Sequence, residues 1–113
     1  MVKGLWLPSG ADSPIEEHDF TALANYQTAV GGWIEAVDIP ALSITLFVNE
    51  EGLLRHLPLN SRATFLWWFH VPTVRQSAML VGDAVVVGLP NPEGDSTDAP
   101  NGAVALLTQP SSY

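Results

Sequence analysis

The run Ala84-Val85-Val86-Val87-Gly88 constrains this chain more than any other feature. It holds no polar residue, and β-branched side chains fill its middle, so it reads as a strand that is apolar on both faces. Such a strand escapes water only at the centre of a sheet covered on both sides. Met79-Leu80-Val81 leads into it and Gly82-Asp83 supplies a tight turn just before it. A chain of 113 residues has room for one core around such a strand, so residues 1–113 read as a single domain. A domain of this length hides about 65% of the surface its unfolded chain would expose, enough to fold without a disulfide or a structural metal.

The remaining elements follow from period and punctuation. Val2 to Leu7 reads as a first strand, ended by Pro8-Ser9-Gly10. Residues 11 to 18 are polar, contain Pro14 and read as a loop. Asp19 is a candidate cap for a helix of about eleven residues, in which Phe20, Leu23, Tyr26, Gln27 and Val30 recur at spacings of three and four. Gly31-Gly32 stops it. Trp33 to Ile39 reads as a strand closed by Pro40. Leu42 to Val48 reads as a stronger one, with Leu42, Ile44, Leu46 and Val48 on one side and Ser43 and Thr45 on the other. Asn49-Glu50-Glu51-Gly52 has turn chemistry, with Gly52 suited to positive φ. Leu53 to Leu57 is expected to return as a short strand before Pro58. Asn60 then caps a second helix through Phe69, limited by Pro72. Residues 89–102, with three prolines, are expected to form a long mobile loop, Ala103 to Leu107 a last strand, and residues 109–113 a frayed tail. The order predicts an α+β fold, a mostly antiparallel or mixed sheet packed against two helices.

Composition removes several classes of function. The chain lacks cysteine, which excludes disulfide frameworks, thiol catalysis and cysteine-ligated zinc. Four Lys or Arg stand against twelve Asp or Glu, a net charge of −8. That balance disfavours phosphate-bearing partners, so direct nucleic-acid binding and an anionic membrane surface are not expected. No window approaches the roughly 18 uninterrupted apolar residues of a membrane span, and Pro8 interrupts the apolar start of the chain where a signal peptide would need continuity. The expected compartment is the cytoplasm.

Four runs resemble a known family: Val30 to Val37 (Val-Gly-Gly-Trp-Ile-Glu-Ala-Val), Val48 to Arg55 (Val-Asn-Glu-Glu-Gly-Leu-Leu-Arg), Leu57 to Thr64 (Leu-Pro-Leu-Asn-Ser-Arg-Ala-Thr) and Val81 to Gly88. They are similar, in order, to a family of small proteins known only as a domain of unknown function, found in bacteriophages, plasmids and actinobacterial genomes. The resemblance covers about residues 1–88, with 70–78 as an insertion. It implies a phage or mobile-element accessory protein working inside a bacterial cell, and it transfers no catalytic residue.

The residues that carry chemistry are sparse. Glu50-Glu51 sits in a turn without the further ligands of a metal site, and His18, His56 and His70 lie at no metal-ligand spacing, so neither a metal nor a cofactor is expected. Gly31-Gly32 and Gly82 to Gly88 lack the Gly-Lys-Ser/Thr of a phosphate loop. Asn60 and Arg62 at a helix start are candidates for holding a carboxylate or phosphate, with Arg55 and His56 as further ligand-binding candidates. Capping by Asn60 and an Arg62 ion pair form the structural alternative.

Phe65-Leu66-Trp67-Trp68-Phe69 is the strongest pointer to function. Five large apolar residues in a row wrap the whole circumference of a helix, and a two-layer domain covers one side only. Phe65, Trp67, Trp68 and Phe69 are therefore the candidate interface, for a host protein or a second copy of the chain in a homodimer. The leading expectation is a non-enzymatic accessory protein that binds a host protein through this helix or an acidic face. A small-molecule binder with its site near a dimer seam at Asn60 and Arg62 is the alternative, and an acidic DNA mimic the third reading.

Overall fold

β5 (Ala84–Gly88) takes the centre of a five-stranded sheet, and every one of its residues is buried. The structure is a computed structural model and describes residues 2–10, 12–75 and 77–108. The sheet runs β2-β1-β5-β4-β3, with β1 (Lys3–Leu7), β2 (Glu16–Asp19), β3 (Ile34–Ile39) and β4 (Ile44–Asn49). All four pairings are antiparallel, so the fold is α+β with a purely antiparallel sheet. Among the described residues, no helix is long and apolar enough to cross a membrane.

The alternation of β5 feeds two cores. Val85 and Val87 join Phe20 and the inner side chains Tyr26 and Val30 of α1 (Leu23–Val30) on one face. Ala84 and Val86 join Leu5, Leu7, Ile44 and Leu46 on the other, where Ala63 of α2 (Ser61–His70) and Ala103 of α3 (Asn101–Thr108) close the layer. A sheet with one helix on one face and two on the other is what the apolar β5 run requires.

Among the described residues, three α-helices are present where two were expected, because Ala103–Leu107 is helical. A short apolar run does not separate strand from helix by pattern alone. Pro100 settles it: its ring presets a helical φ, and its carbonyl accepts from Val104 N at 3.0 Å to close the first turn. Ala103, Val104 and Leu107 then face the core at helical spacing.

The polar segment read as a loop contains β2. Its residues, Glu16-Glu17-His18-Asp19, are all exposed, so no hydrophobic alternation marks it. It exists because β1 offers an unpaired backbone edge, with Trp6 opposite Glu16 and Lys3 opposite Asp19. Asp19 therefore does not cap α1. Asn25 reaches back instead, its Oδ1 accepting from the backbone N–H of Ala22 (2.9 Å) and Thr21 (3.1 Å). Gly31 ends α1 as expected, at φ 80°, donating to the Gln27 carbonyl.

Two other expectations change. Leu53–Leu57 curls into turns in place of a strand, with Arg55 N donating to Glu51 O and Leu57 N to Gly52 O. Gly52 does not use a positive φ; its glycine is demanded by space, since a Cβ there would lie 2.7 Å from Val81 Cγ2. β4 begins two residues late because Pro40–Leu42 forms a 3-10 turn and Ser43 takes φ 56° to reverse the chain.

Residues 89–100 form a loop, as expected, and hydrogen bonds tie its C-terminal part to the sheet. Gly88 N donates to Thr97 O (2.8 Å), Ala99 N to Lys3 O (2.8 Å), and Lys3 N to Asp98 Oδ1 (2.8 Å). Asn101 and Gly102 belong to α3. Residues 109–113, expected as a tail, lie outside the described residues.

Asn60 joins these parts. Its side chain, with no solvent exposure, accepts from Ala63 N at 3.1 Å and so caps α2. Its Nδ2 donates to Leu7 O (3.0 Å) and Gly82 O (2.9 Å), linking the end of β1 to the turn before β5. Replacing Asn60 with Ala leaves the Ala63 N–H and both carbonyls without this partner. The expected cost in urea unfolding is about 3 kcal/mol. Asn60→Asp keeps the cap but turns an oxygen toward the two carbonyls, so it is expected to be destabilised as well; wild-type stability in that variant would show that only capping matters.

Candidate functional site

The expected ligand-binding set divides between two structural jobs. Arg62 lies on the first turn of α2 and spends its guanidinium on backbone carbonyls. Its Nη1 donates to Ser13 O (2.8 Å), and its Nη2 to Pro8 O (2.8 Å) and Gly10 O (2.9 Å). The β1–β2 connection is thus folded around one arginine, with no acid in the pairing. Its Nε is buried and has no acceptor among the described residues. With Asn60 holding Leu7 and Gly82, the pair staples the connection to α2.

Arg55 serves a different element. Its Nη1 donates to Gly31 O at 2.7 Å, while Asn49 Nδ2 donates to Val30 O at 3.1 Å. Both carbonyls belong to the C-terminal end of α1, where four acceptors lack helical partners and cations are favoured by the helix dipole. His56 follows at φ 54° in an exposed turn. Asn60 and Arg62 act at the β1–β2 connection and Arg55 acts at the end of α1, so the structure does not gather the four residues into one site.

The aromatic stretch is sorted by the helix. Trp67 turns inward and packs against the core below α2. Trp68 is half-buried, donating Nε1 to Ala78 O at 2.6 Å, and so anchors the segment that follows α2. Phe65 and Phe69, one turn apart, face outward and remain 59% and 74% exposed. The Phe65 ring meets Trp68 edge-on, with centroids 5.7 Å apart.

Those two phenylalanines flank an open groove of about 440 Å³ between α2 and α3. Leu66, Leu106, Leu107 and Ile15 supply the rest of its apolar lining, with Arg62 and His70 at its polar margin. Leu106 is half exposed. No carboxylate lines the groove, although acids outnumber bases three to one in the chain. The His70 ring is fixed against α2, with Nδ1 2.8 Å from Leu66 O. Of the four expected interface residues, Phe65 and Phe69 line this groove, whereas Trp67 and Trp68 hold the helix in place. Sequence reasoning missed Leu106 and Leu107, because α3 was read as a strand, and Ile15, because it stands alone in a polar segment.

The profile of a domain of unknown function, DUF3846, matches residues 2–110. The chain belongs to the DUF3846 family. The match extends past residue 88, where the resemblance in the sequence was expected to end, and takes in α3 and therefore both walls of the groove. Neither the curated proteins nor the solved structures give a match to this DUF3846 chain. Among its described residues, no group of three or more His, Asp or Glu side chains is placed to hold a metal ion.

Arg62 in this DUF3846 fold is accordingly a structural residue. Arg62→Met keeps the aliphatic stem and removes the donors to three carbonyls. Stability in urea is expected to fall by about 2 kcal/mol. Arg62→Lys retains the charge but cannot reach three carbonyls with one fork, so it is expected to recover less than half of that loss. Full recovery by lysine would show that charge alone, and not the geometry of the fork, matters at this position.

Proposed function

We propose that this chain is a non-enzymatic accessory protein of a phage or other mobile element, acting in the bacterial cytoplasm, and that it binds a host protein in the α2–α3 groove. One observation carries the reading: Phe65 and Phe69 stand largely exposed, one helical turn apart, on the rim of an apolar groove whose floor is already packed. Exposing two phenylalanines in this way costs solubility and adds nothing to the core. Aromatic side chains beside a preformed pocket are the usual anchors of a protein interface. The phage and mobile-element setting rests on the family resemblance of the four runs that culminate in β5.

Self-association through the same groove is a second reading, favoured by the absence of carboxylates from its lining. Two copies, each with a charge of −8, can meet there without opposing acid to acid.

Phe65→Ser combined with Phe69→Ser tests both, because neither ring belongs to the buried core and the fold is expected to lose less than about 1 kcal/mol. A tagged wild-type chain is expected to retain one bacterial protein from an actinobacterial lysate at high salt as well as low, and the double variant to release it. Light scattering of the purified chain at micromolar concentration separates the second reading: a dimer that becomes monomeric in the double variant assigns the groove to self-association. Capture by the double variant equal to wild type would remove the groove from the function.

A further inference from the structure

A second concavity lies on the opposite face of the sheet, between α1 and the β1–β2 edge. Its volume is about 500 Å³, within the range of small-ligand sites. Trp6 and Phe20 give it aromatic walls, Asn25, Thr28 and Ala29 of α1 close one side, Glu16 and Asp83 bring two carboxylates to it, and Asp19 lies at its margin. We infer that this cleft binds a linear organic di- or polyamine.

The strand register assembles the site. Trp6 pairs with Glu16 on one side and with Val85 on the other, so Glu16, Trp6 and Val85 share one face of the sheet. His18, two residues on, shares it too; its ring stands edge-on to both Trp6 and Phe20, at 6.3 Å in each case. α1 has only eight residues and seals the middle of this face with Tyr26 and Val30, leaving the Trp6 end open. Asp83 enters from the other side, just ahead of β5. Its Oδ1 accepts from Ser9 N at 2.9 Å, which holds the carboxylate in position. Neither lysine nor arginine lines the cleft. Among the described residues, the chain's side-chain ion pairing is confined to His18 and Glu16, so Asp83 faces the cleft without a cationic partner.

The spacing of the acids selects the ligand. They do not converge on a point, and among the described residues no group of three His, Asp or Glu could hold a metal ion. Glu16 is level with Val85 across β1, and Asp83 lies two residues ahead of Val85, so two strand spacings and two residues of rise put their backbones about 12 Å apart. A cation with an ammonium at each end of a short alkyl chain spans that gap. Its apolar middle would cross the Trp6 ring, where an ammonium also gains attraction from the π face. Anions are repelled by the same two carboxylates.

Isothermal titration of the full chain with spermidine, and in parallel with putrescine and butylamine, tests this. Spermidine is expected to bind one per chain, and butylamine, with one charge, at least about tenfold more weakly, since one charge-assisted hydrogen bond is lost. Glu16→Gln and Asp83→Asn are each expected to weaken spermidine by about tenfold or more on the same grounds. Glu16 is exposed on an edge strand, so its variant keeps the fold even if loss of the Asp83–Ser9 bond loosens the other. Glu93→Gln, which removes a charge from a distant exposed turn, is expected to bind as wild type. Phe69→Ser is also expected to bind as wild type, which keeps this result separate from the α2–α3 groove. No spermidine binding, or equal weakening by Glu16→Gln and Glu93→Gln, would overturn the assignment, the latter by showing diffuse attraction to an acidic protein.

Discussion

The buried amide of Asn60 is the contact on which the arrangement of layers depends. A carboxamide offers two donors and two acceptor sites in one plane, and here it meets one N–H and two carbonyls from three separate segments. Without it, α2 would start with an orphan N–H, and the ends of β1 and of the turn before β5 would bury carbonyls unpaired. The neighbouring Thr64 repeats the device one turn later, its hydroxyl donating to Leu80 O and accepting from Leu80 N. Arg62 repeats it a third time on the β1–β2 connection. The stretch Asn60 to Thr64 is therefore a short helical turn in which Asn60, Arg62 and Thr64 are bonded to backbone. That is why it resembles a binding motif in sequence without forming one in space.

The same economy applies to the cations. Arg55 and Arg62, half of the Lys and Arg in the chain, are committed to main-chain carbonyls at helix and loop ends. They neutralise no carboxylate. Eleven of the twelve acids are exposed and only Asp83 is half-buried, so the field around the molecule stays negative at short range. The two concavities respond to this field in opposite ways. The α2–α3 groove excludes acids from its lining and offers rings; the α1 cleft collects acids around a tryptophan.

What was legible in the sequence follows from how local each cause is. β5 could be placed at the centre because five successive apolar residues have only one way to leave water. The stop at Gly31 and the cap at Asn60 were legible because a positive φ and a helix N-terminus each ask for particular side chains at one position. β2 was hidden because its four residues are all polar and exposed; its strand is imposed by the free edge of β1, whose paired residues lie ten or more positions away in the chain. α3 was hidden because Ala-Val-Ala-Leu-Leu suits either period, and only the placement of Pro100 against the sheet decides between them. The aromatic stretch was half legible. Its excess of apolar surface was evident, but which rings would turn outward depended on where α3 and the core stood around α2.

The cleft on the α1 face marks the limit of sequence reading more sharply. Trp6, His18, Asn25 and Asp83 come from four segments, and no two of them make a motif. What unites them is register: the pairing of Trp6 with both Glu16 and Val85 brings residues of the edge strand and the central strand to one face on either side of β1. α1 then starts too late to cover that corner. A helix one turn longer at its N-terminus would place side chains over Trp6 and close the cleft, but Phe20 and Thr21 are held instead by backbone bonds to Val2 O and to Asn25 Oδ1. The opening therefore arises from the same hydrogen bonds that start α1 where it starts. It is a consequence of the fold's connectivity, and the acids that line it are the part the sequence was free to choose.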